Sequence, residues 1–276
     1  MMNTIGAMAL AAAGLVTVAG SLETPVVGDL FEATPGVQQA QDWDWQGSVD
    51  RGDAIEIKGI NGGIKATGSS GGQVTVTAVK KGKDDHPADV RIEVVEHAGG
   101  VTICAVYPDV KGKKNECAPG DGGRLSSQDN DVNVSFTVQV PAGVRLVATT
   151  VNGDIEAGGI GADVAATTVN GDVKVSTSGL ARATTVNGSI QASMGRADWD
   201  GALSFNTVNG SITVSLPDGV STDVSASTVN GSMNTDFPLT VKGTFSMKNM
   251  HGTIGSGGRE LEMATVNGSI HLKSGG

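Results

Sequence analysis

One four-residue motif recurs through the second half of the chain and constrains the fold more than any other feature. Two imperfect copies of it are Ile60-Asn61-Gly62 and Met250-His251-Gly252. From the first full copy onward, successive copies are 16 to 22 residues apart, counted through His251. Such regular self-similarity is the sign of a repeat architecture. The full motif, Thr-Val-Asn-Gly, has its Asn at six positions: Asn152, Asn170, Asn187, Asn209, Asn230 and Asn267.

Each copy has the composition of two strands joined by a sharp turn. Thr and Val favour strands. Asn and Gly both tolerate positive φ, which lets the chain turn between the strands. An apolar residue two positions after the Gly, such as Ile155 or Val173, begins the next strand. No helical period appears beyond the N-terminal segment, so the sequence predicts an all-β protein.

Two architectures fit this unit. Asn-Gly between alternating runs is a strong hairpin signal, which is compatible with an up-and-down meander. In a parallel solenoid, by contrast, identical positions lie about 4.8 Å apart, one strand spacing. Their Asn side chains can then hydrogen-bond into a ladder. We therefore expect a single-stranded, β-helix-like parallel β-solenoid whose corners are Asn61, Asn152, Asn170, Asn187, Asn209, Asn230 and Asn267.

Residues 73–141 interrupt the repeat. They contain alternating runs at 73–79, 90–95, 101–106 and 132–140, which are typical of longer antiparallel strands. A solenoid end exposes unpaired strand edges that need a cover. We expect one solenoid domain over 41–276, in which 73–141 form an inserted antiparallel cap near the N-terminal end and 142–276 form the repeats.

The Gly and aromatic content is typical of thin layers of strands, and the net charge limits which partners the protein can bind. The chain has 41 Gly and only 3% aromatic residues, so small and β-branched side chains must fill the core. Its formal net charge is −10. Nucleic-acid binding needs clustered Lys and Arg, so a nucleic-acid partner is not expected.

Residues 1–40 are interpreted as a leader. The stretch from Ile5 to Ala19 is apolar and too short for a secure membrane span, and it resembles the apolar region of a secretory signal peptide. No Lys or Arg precedes Arg51, so the positive charge that usually begins a signal peptide comes from the amino terminus alone. Cleavage after Ala19, after Gly20 or as late as Ala40 fits the pattern, and so does an uncleaved disordered tail. We expect an exported protein without a transmembrane anchor, unless this segment is retained.

The only two cysteines suggest a disulfide. Cys104 ends a strand-like run and Cys117 lies in a loop rich in Lys, Asn, Gly and Pro. Their spacing fits no zinc pattern. In an oxidising compartment a disulfide closing this loop would stabilise the fold by about 3 kcal/mol. Two free thiols are the alternative.

Candidate chemistry is sparse. None of His86, His97, His251 and His271 has a partner suggesting a metal site or a catalytic triad. Residues 158–166 match a calcium-binding nonapeptide formally, but that motif needs tandem copies. The basic residues of the repeats occupy different positions in different copies. A polysaccharide-acting β-helix enzyme needs them gathered beside carboxylates or calcium on one exposed face. We expect no catalytic residue, no metal and no cofactor.

Trp43 and Trp45 are candidate binding residues. At i and i+2 they would lie on one face of a strand. They could stack on sugar rings. Packing over the first turn of the solenoid as a cap is the alternative, and we favour it.

The serial motifs resemble those of a known family. The segments IEIKGINGGIKA, VTICAVYP with a following Cys, FTVQVPAGV and the repeated TTVNGD or TTVNGS are similar to the DUF4097 family, to which an adhesive role is attributed. The resemblance covers residues 43 to 276 and implies a β-solenoid in the bacterial cell envelope. It brings no catalytic residue.

The sequence thus predicts a non-catalytic structural or binding module, adhesive in character, in the periplasm or on the cell surface. Its partner would be an envelope or surface ligand, either glycan or protein. The alternative is an envelope-stress or self-assembling periplasmic scaffold. An enzyme on a β-helix is the third hypothesis.

Overall fold

The computed structural model describes residues 40–241 and 248–275 of the 276-residue chain. The predicted leader lies outside these residues, apart from Ala40, which begins the first strand.

The first part of the chain contains seven strands, with a short 3₁₀ helix (Pro87–Asp89) between the fourth and fifth. Four of these strands correspond to the predicted alternating runs, and two flank the first imperfect copy of the motif. They are β1 (Ala40–Gly47), β2 (Ala54–Lys58), β3 (Ile64–Ser69), β4 (Val74–Lys81), β5 (Arg91–His97), β6 (Gly100–Val106) and β7 (Asn133–Pro141).

The repeat region contains shorter strands, most of them four to six residues long. They are β8 (Arg145–Thr149), β9 (Ile155–Ile160), β10 (Val164–Thr167), β11 (Val173–Thr177), β12 (Ala181–Thr184), β13 (Ile190–Met194), β14 (Ala202–Asn206), β15 (Ile212–Leu216), β16 (Thr222–Asn230), β17 (Met233–Thr235), β18 (Thr240–Val241), β19 (Asn249–Ile254), β20 (Glu260–Asn267) and β21 (Ile270–Ser274).

These strands form two sheets, between which the chain alternates from β7 to β18. Sheet A has the order β1-β4-β7-β3-β9-β11-β13-β15-β21-β17, and sheet B has the order β18-β19-β16-β20-β14-β12-β10-β8-β2-β6-β5. One turn of the solenoid, here called a rung, is one strand of sheet B, a Thr-Val-Asn-Gly corner and one strand of sheet A. Neighbouring rungs pair in parallel, as β8 does with β10 and β9 with β11. The predicted parallel solenoid is therefore confirmed, and the meander is wrong.

Residues from the inserted segment close the N-terminal end of the stack. β6 pairs in parallel with β2, and β7 in parallel with β3, so together they form an outer rung. β5 then pairs antiparallel with β6, and β4 antiparallel with β7, with β1 beyond β4. The antiparallel cap predicted from the alternating runs is present.

The order of rungs at the other end differs from the order in sequence. β20 and β21, the last rung of the chain, lie between the β14–β15 rung and the β16–β17 rung. His251 does not form a corner, because it lies in β19 and pairs antiparallel opposite Ser225. The interpretation of His251 as a repeat position is therefore wrong. Its segment has neither the Thr nor the Asn that link one corner to the next.

The core lies between the two sheets and is built from stacked rows of like residues. One row on sheet A is fully buried from the β3 rung to the β21 rung, and its neighbour two positions on holds Ala, Val or Leu. On the terminal rung the corresponding residue, Met233, is only partly buried. Burying each Ile or Val contributes about 1.5–3 kcal/mol relative to exposure, which explains how a core with few aromatic rings is stable. The first row consists of Ile64, Ile155, Val173, Ile190, Ile212 and Ile270.

Candidate functional site

The corner asparagines form one continuous ladder. Each side-chain Nδ2 donates to the Oδ1 of the Asn one rung nearer the N-terminal end of the stack, at 2.7–2.9 Å. At that end, Asn61 Nδ2 donates to the carbonyl of Asn130 at 3.4 Å. The ladder orders the corners as Asn61, Asn152, Asn170, Asn187, Asn209, Asn267 and Asn230.

The Thr of the motif links the rungs from inside. Its Oγ1 donates to the carbonyl of the Gly in the neighbouring corner, as Thr185 does to Gly171 at 2.9 Å. Since these hydroxyls are buried, each donor needs a partner within the protein. This role was not predicted from the sequence, although the Thr before every Val is its signal. The six donors are Thr150, Thr168, Thr185, Thr207, Thr228 and Thr265, all 5% exposed or less.

The Gly of the motif is required for a different reason from the one expected. Among the corner residues of the seven copies, only Gly62 has positive φ. At the other corners the Gly lies against the main chain of the next rung. A Cβ on Gly188 would come within 1.9 Å of the Gly171 carbonyl oxygen. The expected turn through positive φ is therefore wrong at every corner except that of Gly62, and close approach of the rungs selects Gly at the others.

The Val of the motif is exposed. Five of these valines are 36–39% exposed, and Val229, on the terminal rung, is 52% exposed. Among the described residues they are the only large hydrophobic side chains classed as exposed. Aligned at about 4.8 Å per rung, they make a narrow apolar stripe along the corner. We call this the valine stripe; in stack order it consists of Val151, Val169, Val186, Val208, Val266 and Val229.

Polar rows flank the valine stripe. On one side lies the Asn ladder, followed by the residue after the Gly. Asp154 Oδ1 and Asp172 Oδ1 each accept the main-chain N–H of the following rung, from Asp172 and Ser189. In later rungs a serine hydroxyl is the acceptor instead: Ser211 N–H donates to Ser189 Oγ at 3.2 Å. On the other side lies the residue before the Thr: Thr149, Thr167, Thr184, Asn206, Ala264 and Ser227.

Trp43 and Trp45 lie away from this corner. They are on β1, the edge strand of sheet A, and both side chains are half-buried against the hydrophobic core. Trp43 lies opposite Ala78 and Trp45 opposite Val76 on β4. This placement is that of a cap over the N-terminal end of the core.

Cys104 and Cys117 are joined in a disulfide, with Cα atoms 5.7 Å apart. The loop continues past Cys117, and there it lies over a buried polar cluster. Lys58 Nζ donates to the carbonyls of Ala118 and Gly120 and lies 3.5 Å from Glu56 Oε1. Glu56 Oε2 also accepts the Gly120 N–H at 3.0 Å. The disulfide and this cluster together fix the loop on sheet B.

Two ionisable groups near the start of β7 have shifted pKa values. Burial raises the pKa of Tyr107 to about 12, and its hydroxyl donates to the Val132 carbonyl at 2.7 Å. Main-chain N–H groups of Asp84 and Asp85 donate to the exposed Asp131 carboxylate and lower its pKa. Both groups hold the segment before β7 in place.

The other candidate residues do not gather into a catalytic or metal site. Within 40–241 and 248–275, no three His, Cys, Asp or Glu side chains are placed to hold a metal ion. In the nonapeptide resembling a calcium motif, Asp163 Oδ1 accepts the Leu180 N–H and pairs with Arg196 at 3.3 Å. A shallow cavity of about 400 Å³ includes His251, but the Asp223 carboxylate in it accepts from Thr253 and from the Gly258 N–H.

No helix in the described part of the chain has the length and hydropathy of a membrane span.

Comparison with solved structures finds distant likeness. A putative cell adhesion protein from Clostridium sporogenes is 10% identical, with a TM-score of 0.49, over 86% of this chain and 100% of the other. A putative adhesin from Bacteroides fragilis is 14% identical, with a TM-score of 0.37, over 87% and 98%. No curated protein sequence matches the chain significantly.

The family comparison is more extensive. The model of the Toastrack DUF4097 family matches residues 51–273, which include the cap, the disulfide and every Thr-Val-Asn-Gly corner. The chain therefore belongs to the Toastrack DUF4097 family.

Proposed function

We propose that this protein is an exported, non-catalytic binding module of the bacterial cell envelope that adheres to its ligand through the valine stripe and the polar rows beside it. The observation that carries the proposal is the exposure of the same apolar residue at six successive rungs. A Thr or Ser at this position would suit an exposed corner equally well. Exposed apolar rows rimmed by polar residues are typical of interaction sites.

The geometry of the stripe favours a long ligand bound by many weak contacts. The surface repeats at one strand spacing along the six rungs. Hydroxyl and amide groups lie on both sides of the valines, so a polymer with apolar faces and hydrogen-bonding edges would match it. A linear glycan or an extended protein segment has this character.

Charge narrows the choice of ligand. The chain carries a formal charge of −10, and the rows beside the stripe contain Asp154 and Asp172 but no basic residue. A polyanion would be repelled, so the proposed ligand is neutral or basic.

The test is a glycan array together with a pull-down from envelope material. Each methyl group removed from water on binding contributes about 0.8 kcal/mol, so a Val186→Thr/Val208→Thr double variant should bind about tenfold more weakly. Gln191→Thr, in the same rung as Val186 but on the outer face of sheet A, should bind like the original chain. Absence of any ligand in both assays would favour a purely structural role.

Export is supported by the disulfide, since disulfides persist in oxidising compartments. Fractionating cells and locating the protein tests this part of the proposal. Recovery from the cytoplasm with both thiols reduced would contradict it.

A self-assembling scaffold is the second candidate. It is favoured by β17, a three-residue strand without charge that ends sheet A among the described strands. An edge strand without charged side chains leaves main-chain N–H and C=O groups that can pair with another chain. Light scattering over a concentration series separates the two functions, because a strict monomer at high concentration would exclude the scaffold.

A further inference from the structure

Among the described residues, the main-chain N–H of the corner Gly has a hydrogen-bond acceptor at every rung except the terminal β16–β17 rung. In six of the seven Asn-Gly corners it donates to the Asn carbonyl of the next rung toward the C-terminal end of the stack. The distances are 2.8–3.0 Å. The pairs are Gly62 to Asn152, Gly153 to Asn170, Gly171 to Asn187, Gly188 to Asn209, Gly210 to Asn267 and Gly268 to Asn230.

Gly231 has no such partner. Its corner is on the terminal rung, and no described residue accepts a hydrogen bond from its N–H. The Asn230 side chain is also held on one side only. It donates to Asn267 Oδ1 at 2.8 Å, and no described side chain donates to its own Oδ1. Val229, in the same corner, is also the most exposed valine of the stripe, at 52%.

These differences bear on asparagine deamidation, a reaction that is fastest when Gly follows the Asn. The Gly nitrogen, after losing its proton to base, attacks the Asn Cγ. A C–N bond forms, the bond from Cγ to the side-chain nitrogen breaks, and ammonia leaves. Water then opens the cyclic imide at either carbonyl, giving aspartate or isoaspartate. The reaction needs a free Gly N–H and an amide that can rotate, and Gly offers the least steric resistance.

We propose that Asn230 is a site of spontaneous deamidation in the folded protein, whereas the stack protects the other six corner asparagines. In those six corners the attacking nitrogen is occupied by a hydrogen bond, and the amide is locked within the ladder. At Asn230 neither the nitrogen nor the Oδ1 is held by another rung. The inference concerns the chemistry of the open end and does not depend on the proposed ligand.

Deamidation would change the open end in a defined way. The new carboxylate has no N–H to donate to Asn267 Oδ1, so the last hydrogen bond of the ladder is lost. It also places a negative charge at the end of the stack. An isoaspartate adds a carbon to the main chain, which breaks the register of the terminal rung.

The chain contains its own matched controls. Asn187, Asn209, Asn230 and Asn267 all occur in the same pentapeptide, Thr-Val-Asn-Gly-Ser, so their intrinsic reactivities are equal. Differences among them in the folded protein therefore arise from structure.

The experiment is to incubate the folded chain in mildly alkaline buffer and to quantify aspartate and isoaspartate at each corner by peptide mapping and mass spectrometry. Asn230 should convert roughly tenfold faster than Asn187 or Asn209, since two fewer hydrogen bonds oppose its reaction. In denaturant the four rates should become equal. A folded-state rate at Asn230 no higher than those of the interior corners would overturn the proposal. So would rates that stay unequal in denaturant, because the difference would then not come from the fold.

Discussion

Asn267 Nδ2 donates a 2.7 Å hydrogen bond to Asn209 Oδ1, although 58 residues separate them in sequence. Asn230, which is nearer to Asn209 in sequence, lies on the far side of Asn267 and donates to it at 2.8 Å. The last rung of the chain is therefore inserted between two earlier ones. The rung from β16 to β17 is held in the stack through the C-terminal strands.

The buried Thr of each corner should be essential for stability. Thr185→Val removes the donor to the Gly171 carbonyl and leaves that oxygen without its partner, at an expected cost of about 1–3 kcal/mol in the free energy of unfolding. Thr184→Val, at the exposed neighbouring position, should change it by less than about 0.5 kcal/mol. Denaturant titration of both variants measures the difference. Equal effects at the two positions would show that the buried hydroxyl contributes nothing specific.

The corner Gly should tolerate no side chain. In Gly188→Ala the added Cβ would lie 1.9 Å from the Gly171 carbonyl oxygen, so the rungs must separate. Overpacking of this kind costs about 1–3 kcal/mol or more. Gly158→Ala is the matched control, because a Cβ there meets no atom within 4 Å. Thermal unfolding should show a lower Tm for Gly188→Ala alone, and an unchanged Tm in both variants would contradict the close-approach explanation.

Tyr107 gives the fold a specific dependence on alkaline pH. Its pKa in the folded chain is about 12, above the ordinary value of 10.0, so folding favours the protonated phenol. The stabilisation is complete below pH 10 and is lost as the pH rises toward 12. Because Tyr107 is the only tyrosine, phenolate absorbance reports this residue alone. The folded chain should titrate near 12 and the denatured chain near 10; a midpoint near 10 in both states would mean that Tyr107 is not buried.

Much of this fold could be predicted from the sequence, because its determinants are local and repeated. Identical Asn and Val at a regular period specify stacking of like on like, and alternation in 73–141 specifies the strands of the cap. The disulfide between Cys104 and Cys117 could be predicted because they are the only two cysteines. One ends a strand-like run and the other lies in the loop that follows it.

The order of the last rungs could not be predicted, since the corners of Asn230 and Asn267 are chemically equivalent in either order. The role of Gly was predicted wrongly because Asn-Gly is typical of tight turns, and nothing local indicates the approach of another rung. The exposure of Val151 and its counterparts also depends on which way the corner faces, which only the assembled stack determines.

The rung order at the C-terminal end is the central claim, and cysteine cross-linking tests it most directly. Adjacent rungs are about 4.8 Å apart, within reach of a disulfide, whereas two rungs span about 10 Å and exceed it. The native cysteines are already paired, so new ones report on the stack alone. The double variant Val208→Cys/Val266→Cys should form a disulfide under mild oxidation, and Val208→Cys/Val229→Cys should not. The opposite result, with Val229 linked to Val208, would show that the rungs follow the order of the sequence and would contradict the inserted rung.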